Sequence, residues 1–140
     1  MTPVSSIEEL LKREEGLSLK AAKDSVGYVI GYGRNVMTEG ISLGEADFML
    51  YNDIAAAQAD CATIPFWSAL SEPRQGVLLS MHYEMGFHGM LAFRKMLTAM
   101  GDGDWPLAAA ELLDSVYARD PDTNGRAHRL ALQLEADGWV

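Results

Sequence analysis

The spacing of the apolar residues changes twice along this chain, at Gly16 and again at Ser42, and those two switches constrain the fold more than any other feature. Before Gly16, Ile7, Leu10 and Leu11 fall at helical spacing. They follow Ser5 and Glu8, spaced as a capping box in which hydroxyl and carboxylate each satisfy an orphan backbone N–H. Gly16 is a natural stop, so the first helix is expected from about Ser6 to Glu15. From Leu17 to Val36 the pattern alternates: Leu17 and Leu19 are separated by Ser18, and Tyr28-Val29-Ile30 is aromatic and β-branched. Asp24-Ser25-Val26-Gly27 reads as a turn, and the glycines at 27, 31 and 33 imply tight bends or close backbone approach. The expectation is a small, strongly twisted sheet of two or three strands, closed by Thr38-Glu39-Gly40.

Helical spacing resumes at Ser42 and does not lapse again. Ser42 and Glu45 form a second capping box, opening a helix to about Ala62 with Leu43, Ala46, Leu50, Ile54, Ala57 and Cys61 facing inward. Ser71-Glu72-Pro73 opens another, striped by Val77, Leu78, Met81 and Met85 and ended by Gly86. A helix from Met90 to Met100, one capped by Asp104, and a last one from Arg126 to Ala136 complete the chain before Gly138-Trp139. The methionines at 81, 85, 90, 96 and 100 read as core fillers, and Tyr117 and Trp139 as packing residues. The fold class is therefore α+β, predominantly helical, in one domain of 140 residues. Its expected parts are a lobe over about 1–41, a connecting helix over 42–62 and a helical lobe over 63–140.

Charge narrows the partners. The chain has 11 Lys and Arg against 20 Asp and Glu, a net −9, which argues against nucleic acid and against anionic membrane surfaces. The excess is uneven: residues 1–40 carry five bases and six acids, and residues 41–140 carry six bases and 14 acids. A single cysteine, Cys61, excludes an internal disulfide and a cysteine-based zinc site. No segment has the basic and apolar regions of a secretory signal or the length of a membrane span. The expected setting is a cytoplasm, with any export needing outside help.

Two acids of the near-neutral segment can carry chemistry. Glu15 ends a helix, where the negative end of the peptide dipoles disfavours ionisation, as suits a general acid. Asp24, nine residues on, sits in a turn expected to be wet and hydrogen-bonded, which keeps a carboxylate charged. Two carboxyls in contrasting environments are the machinery of glycoside hydrolysis, although on composition and spacing alone two solvated surface acids are by far the commoner case.

The neighbouring residues distinguish these readings. Glu15-Gly16-Leu17, Lys23-Asp24-Ser25-Val26-Gly27 and Ile30-Gly31-Tyr32-Gly33-Arg34-Asn35 resemble the N-terminal signature of the phage-type lysozymes, glycoside hydrolase family 24. The resemblance continues through Tyr83-Glu84-Met85-Gly86, Gly89 to Phe93, Asp104-Trp105, Asp114-Ser115, Arg126 with Arg129, and Gly138-Trp139, covering roughly residues 6–139. It implies a lysozyme-like fold with a sugar cleft between two lobes, no cofactor, and peptidoglycan as substrate, cut between N-acetylmuramic acid and N-acetylglucosamine. Carried over by position, Glu15 protonates the leaving glycosidic oxygen and Asp24 positions or activates the attacking water, with inversion. Sugar contacts fall at Tyr32, Arg34, Asn35, Tyr83 and Glu84, with the type-changed Met96 and Glu111 as weaker matches, and Arg126 and Arg129 face the carboxylates of stem peptides. The implied setting is a monomeric endolysin released through a holin pore without entering the membrane itself, or a virion-borne lysozyme.

This sequence departs from the family at one active-site position. The Thr-Ile-Gly-Tyr-Gly pattern is Val29-Ile30-Gly31-Tyr32-Gly33 here, and the segment after Asp24 is one residue shorter. Valine has no hydroxyl to hold a water, so Ser25, Tyr28 or another group takes that role or activity falls. That departure keeps two alternatives open: an impaired lysozyme-like protein that binds glycan or a phage structural protein, and a lytic transglycosylase that needs no hydrolytic water. The arginine at 34, where the family often has histidine, can bind the Asp-rich helical lobe as readily as it binds substrate. His82, Glu84 and His88 straddle a helix end and read as ordinary residues, with no metal expected. Arg119, Arg126, His128 and Arg129 face either stem-peptide carboxylates or the acids Asp114, Asp120 and Asp122.

Overall fold

The structure, a computed structural model, describes residues 3–140; Met1 and Thr2, the first positions of the segment read as lacking a leader, lie outside the described residues. The chain forms two compact units, residues up to Met49 and residues from Leu50 onward, with the boundary inside one helix.

The first unit begins with helix α1, Ile7–Glu15. Its cap lies one residue later than the sequence suggests. Ser6 is the extended N-cap and accepts from the Glu9 N–H at 3.1 Å, while the Glu9 carboxylate reaches back to the Ser5 N–H at 2.7 Å. Glu8, freed from capping, pairs with Lys12 one turn on at 2.5 Å. Gly16 ends the helix at φ 70°, its N–H returning to the Lys12 carbonyl. Three antiparallel strands follow in meander order: β1 Ser18–Asp24, β2 Gly27–Gly31 and β3 Arg34–Asn35. Asp24 pairs with Gly27, Ala22 with Val29, and Val29 with Asn35, with an irregularity in β1 between Ser18 and Ala22. Residues directly opposite each other point to the same side of a sheet, as do residues two apart in a strand. Asp24, Val29 and Asn35 therefore share one face.

Helix α2, Leu43–Cys61, opens on the expected box, with Ser42 N–H on Glu45 at 3.0 Å and Glu45 N–H on the Ser42 hydroxyl at 3.1 Å. Its apolar residues depart from expectation. Only Ala57 and Cys61 are buried, whereas Leu43, Leu50 and Ile54 are exposed and Ala46 is intermediate. The boundary between the units falls within this helix, so no single core covers a continuous stripe along it. Among the described residues, nothing before Ala57 is fully buried.

The second unit holds the core. After a single 3₁₀ turn at Trp67–Ala69 come α3 Glu72–Leu91, α4 Arg94–Gly101, α5 Trp105–Leu113, α6 Val116–Arg119 and α7 Asn124–Ala136. Gly86, at φ 79° and ψ 168°, breaks α3 as expected; the helical stretch beyond it carries Met90 and ends at Leu91, so the helix expected over Met90–Met100 is divided at Ala92–Phe93. Asp104 caps α5 as expected, by accepting from Leu107 N–H at 3.1 Å. Helix α6, capped by Ser115, was not evident from the spacing because one turn is too short to show a period. Helix α7 starts at Asn124, two residues before the expected Arg126. Val77, Leu78, Met81, Met90, Met96, Met100, Leu112 and Leu134 are wholly enclosed, and Met85 and Tyr117 pack against them. The methionines are thus core residues. Trp139 is mostly exposed but lays one edge against α3, where a β-carbon on Gly76 would come within 2.8 Å of the indole.

Candidate functional site

Glu15 is the last residue of α1, and its carboxylate is turned toward the Gly31-Tyr32-Gly33 bend between β2 and β3. A β-carbon on Gly33 would lie 3.0 Å from Glu15 Oε2, and Gly33 sits at φ 81°, where side chains are strained. Glycine meets both demands without strain, whereas another residue would be strained at that φ and would push the Glu15 carboxylate aside. Glu8, Leu11, Lys12, Glu15, Tyr32 and Gly33 line one recess of 390 Å³. The Lys12 ammonium stands 5.6 Å from the Tyr32 ring centroid while holding Glu8. The carboxyl of Glu15 thus opens to solvent beside one cation and one aromatic ring.

Asp24 closes the β1–β2 hairpin, where its Oδ1 accepts from the Val26 N–H at 2.9 Å. This is an Asx turn, as expected for a hydrogen-bonded carboxylate. The other side of that turn is held by Asn35, whose Nδ2 donates to the Val26 carbonyl at 3.4 Å. The Asn35 Oδ1 accepts from Met37 N–H at 3.0 Å and Thr38 N–H at 3.1 Å. One side-chain amide therefore joins two turns, a role the sequence reading, which placed Asn35 on sugar, did not anticipate. Val29 lies on the same face and offers no hydroxyl there.

Arg34, on the opposite face from Asn35, donates to Glu45 at 2.5 Å. The guanidinium, together with the Ser42 N–H and hydroxyl, holds the Glu45 carboxyl down to about 2. Arg34 thus pairs with Glu45 of the second capping box, inside the first unit, where the sequence expectation was the acids of the helical lobe or substrate. Tyr32, Arg34, Ile41, Glu45, Phe48 and Met49 border a wider groove of 730 Å³, with Tyr32 common to this groove and the Glu15 recess.

The remaining predicted contacts lie in the second unit. Tyr83 is exposed. Glu84 accepts from the Tyr117 hydroxyl at 2.8 Å and pairs with Arg126 at 3.1 Å, and Arg126 also donates to the Ser80 hydroxyl at 3.2 Å. Burial, and then the Glu84 carboxylate beside it, push the Tyr117 phenol up to about 12. Arg126 is consequently engaged within the unit, and Arg119 pairs with Asp114 at 3.2 Å, one of the acids anticipated for this cluster. Arg129 is exposed, its guanidinium reaching back over Gly125. His82 pairs with Asp60 at 2.8 Å, and His128 is bonded to the Asn124 carbonyl at 2.7 Å. Met96 is enclosed in the core, yet it borders the same surface recess as Glu111, Asp114 and Ser115. Among the described residues no helix is long and apolar enough to cross a membrane.

Sequence reading missed Gly33, Lys12 and Glu45. The glycine was visible as part of the Gly-Tyr-Gly bend, and Glu45 as a cap residue, but only the folded chain shows what each one touches.

The pre-baseplate central spike protein Gp5 of Enterobacteria phage T4 is 32% identical over 160 residues, which takes in 93% of this chain and 28% of that protein. Probable T4-type lysozyme 1 of Dictyostelium discoideum is 24% identical over 163 residues, covering 94% of this chain and 95% of that protein. The chain thus spans little more than a quarter of the spike protein and nearly all of the Dictyostelium one. The family model for phage lysozyme matches residues 12–131, a stretch that includes both Glu15 and Asp24, and the chain belongs to the phage lysozyme family.

Proposed function

We propose that this chain is a peptidoglycan muramidase that hydrolyses the β-1,4 bond between N-acetylmuramic acid and N-acetylglucosamine. The observation that carries the reading is the placement of Glu15 against Gly33, which leaves a carboxyl open to a recess beside Tyr32. Glu15 donates its proton to the leaving glycosidic oxygen, and Asp24 accepts the proton of the attacking water. Both roles are proton transfers at a sugar acetal, so they require no cofactor. Tyr32 supplies a ring face for a sugar, and the groove it shares with Arg34 and Phe48 extends the surface available to a glycan.

The protein acts as a monomer on the bacterial wall. The 32% identity to a phage spike protein favours a virion-borne setting over an endolysin that crosses a holin pore. Purified protein incubated with isolated sacculi tests the activity: reducing ends should appear, and Glu15→Gln should lower the rate by about 10²-fold or more. The absence of a hydroxyl at Val29 favours one second reading, a lysozyme-like protein that binds glycan without cutting it. Sacculi left intact by the wild-type protein, with binding retained, would select that reading. Products lighter by one water would instead identify a lytic transglycosylase.

A further inference from the structure

We propose that Asn35 is a positioning residue for Asp24, acting on the face where Val29 stands in place of the family's threonine; the inference rests on the hydrolase reading above. The strand register puts Asp24, Val29 and Asn35 on one face, so the amide stands where the valine leaves that face without a polar group. A β-carbon on Gly27, the partner of Asp24, would lie 3.7 Å from Asn35 Nδ2, which confirms that the side chain reaches beneath the hairpin. The bonds form a chain: Asn35 Nδ2 donates to the Val26 carbonyl, and the Val26 N–H donates to Asp24 Oδ1. Asn35 Oδ1 is itself fixed by the Met37 and Thr38 N–H groups, so the amide cannot rotate away without losing both.

The arrangement sets the direction of the Asp24 carboxylate by anchoring its turn. Oδ1 is occupied by Val26, which leaves Oδ2 as the oxygen available to accept a proton. The second hydrogen of the Asn35 amide has no acceptor among the described residues, so the amide retains one donor for a bound molecule on that face. A residue acting through another in this way changes the rate of the step and not the affinity for substrate.

Two variants separate this role from a sugar contact. Asn35→Asp keeps an acceptor for Met37 and Thr38 but loses the donor to Val26, and Asn35→Ala loses both. Steady-state cleavage of soluble peptidoglycan fragments is measured alongside amide hydrogen exchange at Val26. The expectation for both variants is a fall in kcat of about tenfold to a hundredfold with KM nearly unchanged, and loss of protection at Val26. A rise in KM with kcat preserved would overturn the proposal and return Asn35 to the sugar. If the wild-type protein does not cleave at all, the hydrolase reading fails on its own; unchanged Val26 exchange in both variants then shows that the clamp is absent too. Asn35→Asp guards against a variant that fails to fold, because it preserves the turn after β3.

Discussion

Gly33 and Glu15 occupy one space: the carboxylate oxygen sits where the first carbon of any other side chain at position 33 would come within 3.0 Å. The positive φ of 81° adds backbone strain to the same substitution. Gly33→Ala is therefore expected to destabilise the fold by about 1 kcal/mol or more and to displace the carboxyl. Thermal melting and cleavage of sacculi, measured on the same sample, check both. Cleavage should fall further than the melt explains, since the flexible end of Glu15 yields before the backbone does.

Arg34 and Glu45 predict how the first unit responds to acid. A carboxyl held at about 2 in the folded chain, against an ordinary 4.5, contributes stability that is fully present above 4.5 and is lost as pH falls toward 2. The melting temperature should drop through that window. Arg34→Ala removes the largest cause and should shallow the drop, leaving the part contributed by Ser42. Melting curves from pH 6 to pH 2 on both proteins would show it, and parallel curves would speak against the pair.

Cys61 is fully buried, and burial, with Asp60 beside it, pushes its thiol up to about 11. The native protein should be inert toward an aromatic disulfide reagent at pH 8, and one thiol per chain should react once guanidinium unfolds it. Rapid reaction under native conditions would mean that the α2 end of the core opens readily.

Glu84 and Arg126 link the segment of α3 before its interruption to α7. Because the arginine is partly exposed, Arg126→Ala is expected to cost only about 1 kcal/mol, and the double variant with Glu84→Gln should cost less than the sum of the two. Chemical denaturation of the four proteins measures the coupling. Strict additivity would mean that the two groups act separately and that Arg126 is available to stem peptides.

On the proposed function, the net charge of −9 faces a substrate that is itself negative, so long-range attraction cannot guide this protein to it. Cleavage of sacculi should rise with moderate salt, which screens the repulsion; a steep fall across the same range would point to a cationic contact instead.

Local chemistry made much of the fold legible before any coordinates. The Ser42–Glu45 box, the stop at Gly16, the Asp104 cap and the methionine stripe each depend on residues within a turn or two of one another, and all stand where the sequence puts them. The first cap was misplaced by one residue because Ser5 and Ser6 are adjacent and Glu8 and Glu9 repeat the same spacing. The site divides along the same line. Glu15 and Asp24 stand out as candidates from their motifs alone. What lies beside them depends on strand pairing and helix packing, which bring together residues that are distant in the chain. Gly33 meets Glu15 across 18 positions, Asn35 reaches the turn of Asp24 across nine to Val26, and Glu45 takes Arg34 across 11. Spacing within a helix or strand follows from local geometry and is written in the order of residues. Which side chains share a face across the sheet follows from register, and only the folded chain decides that.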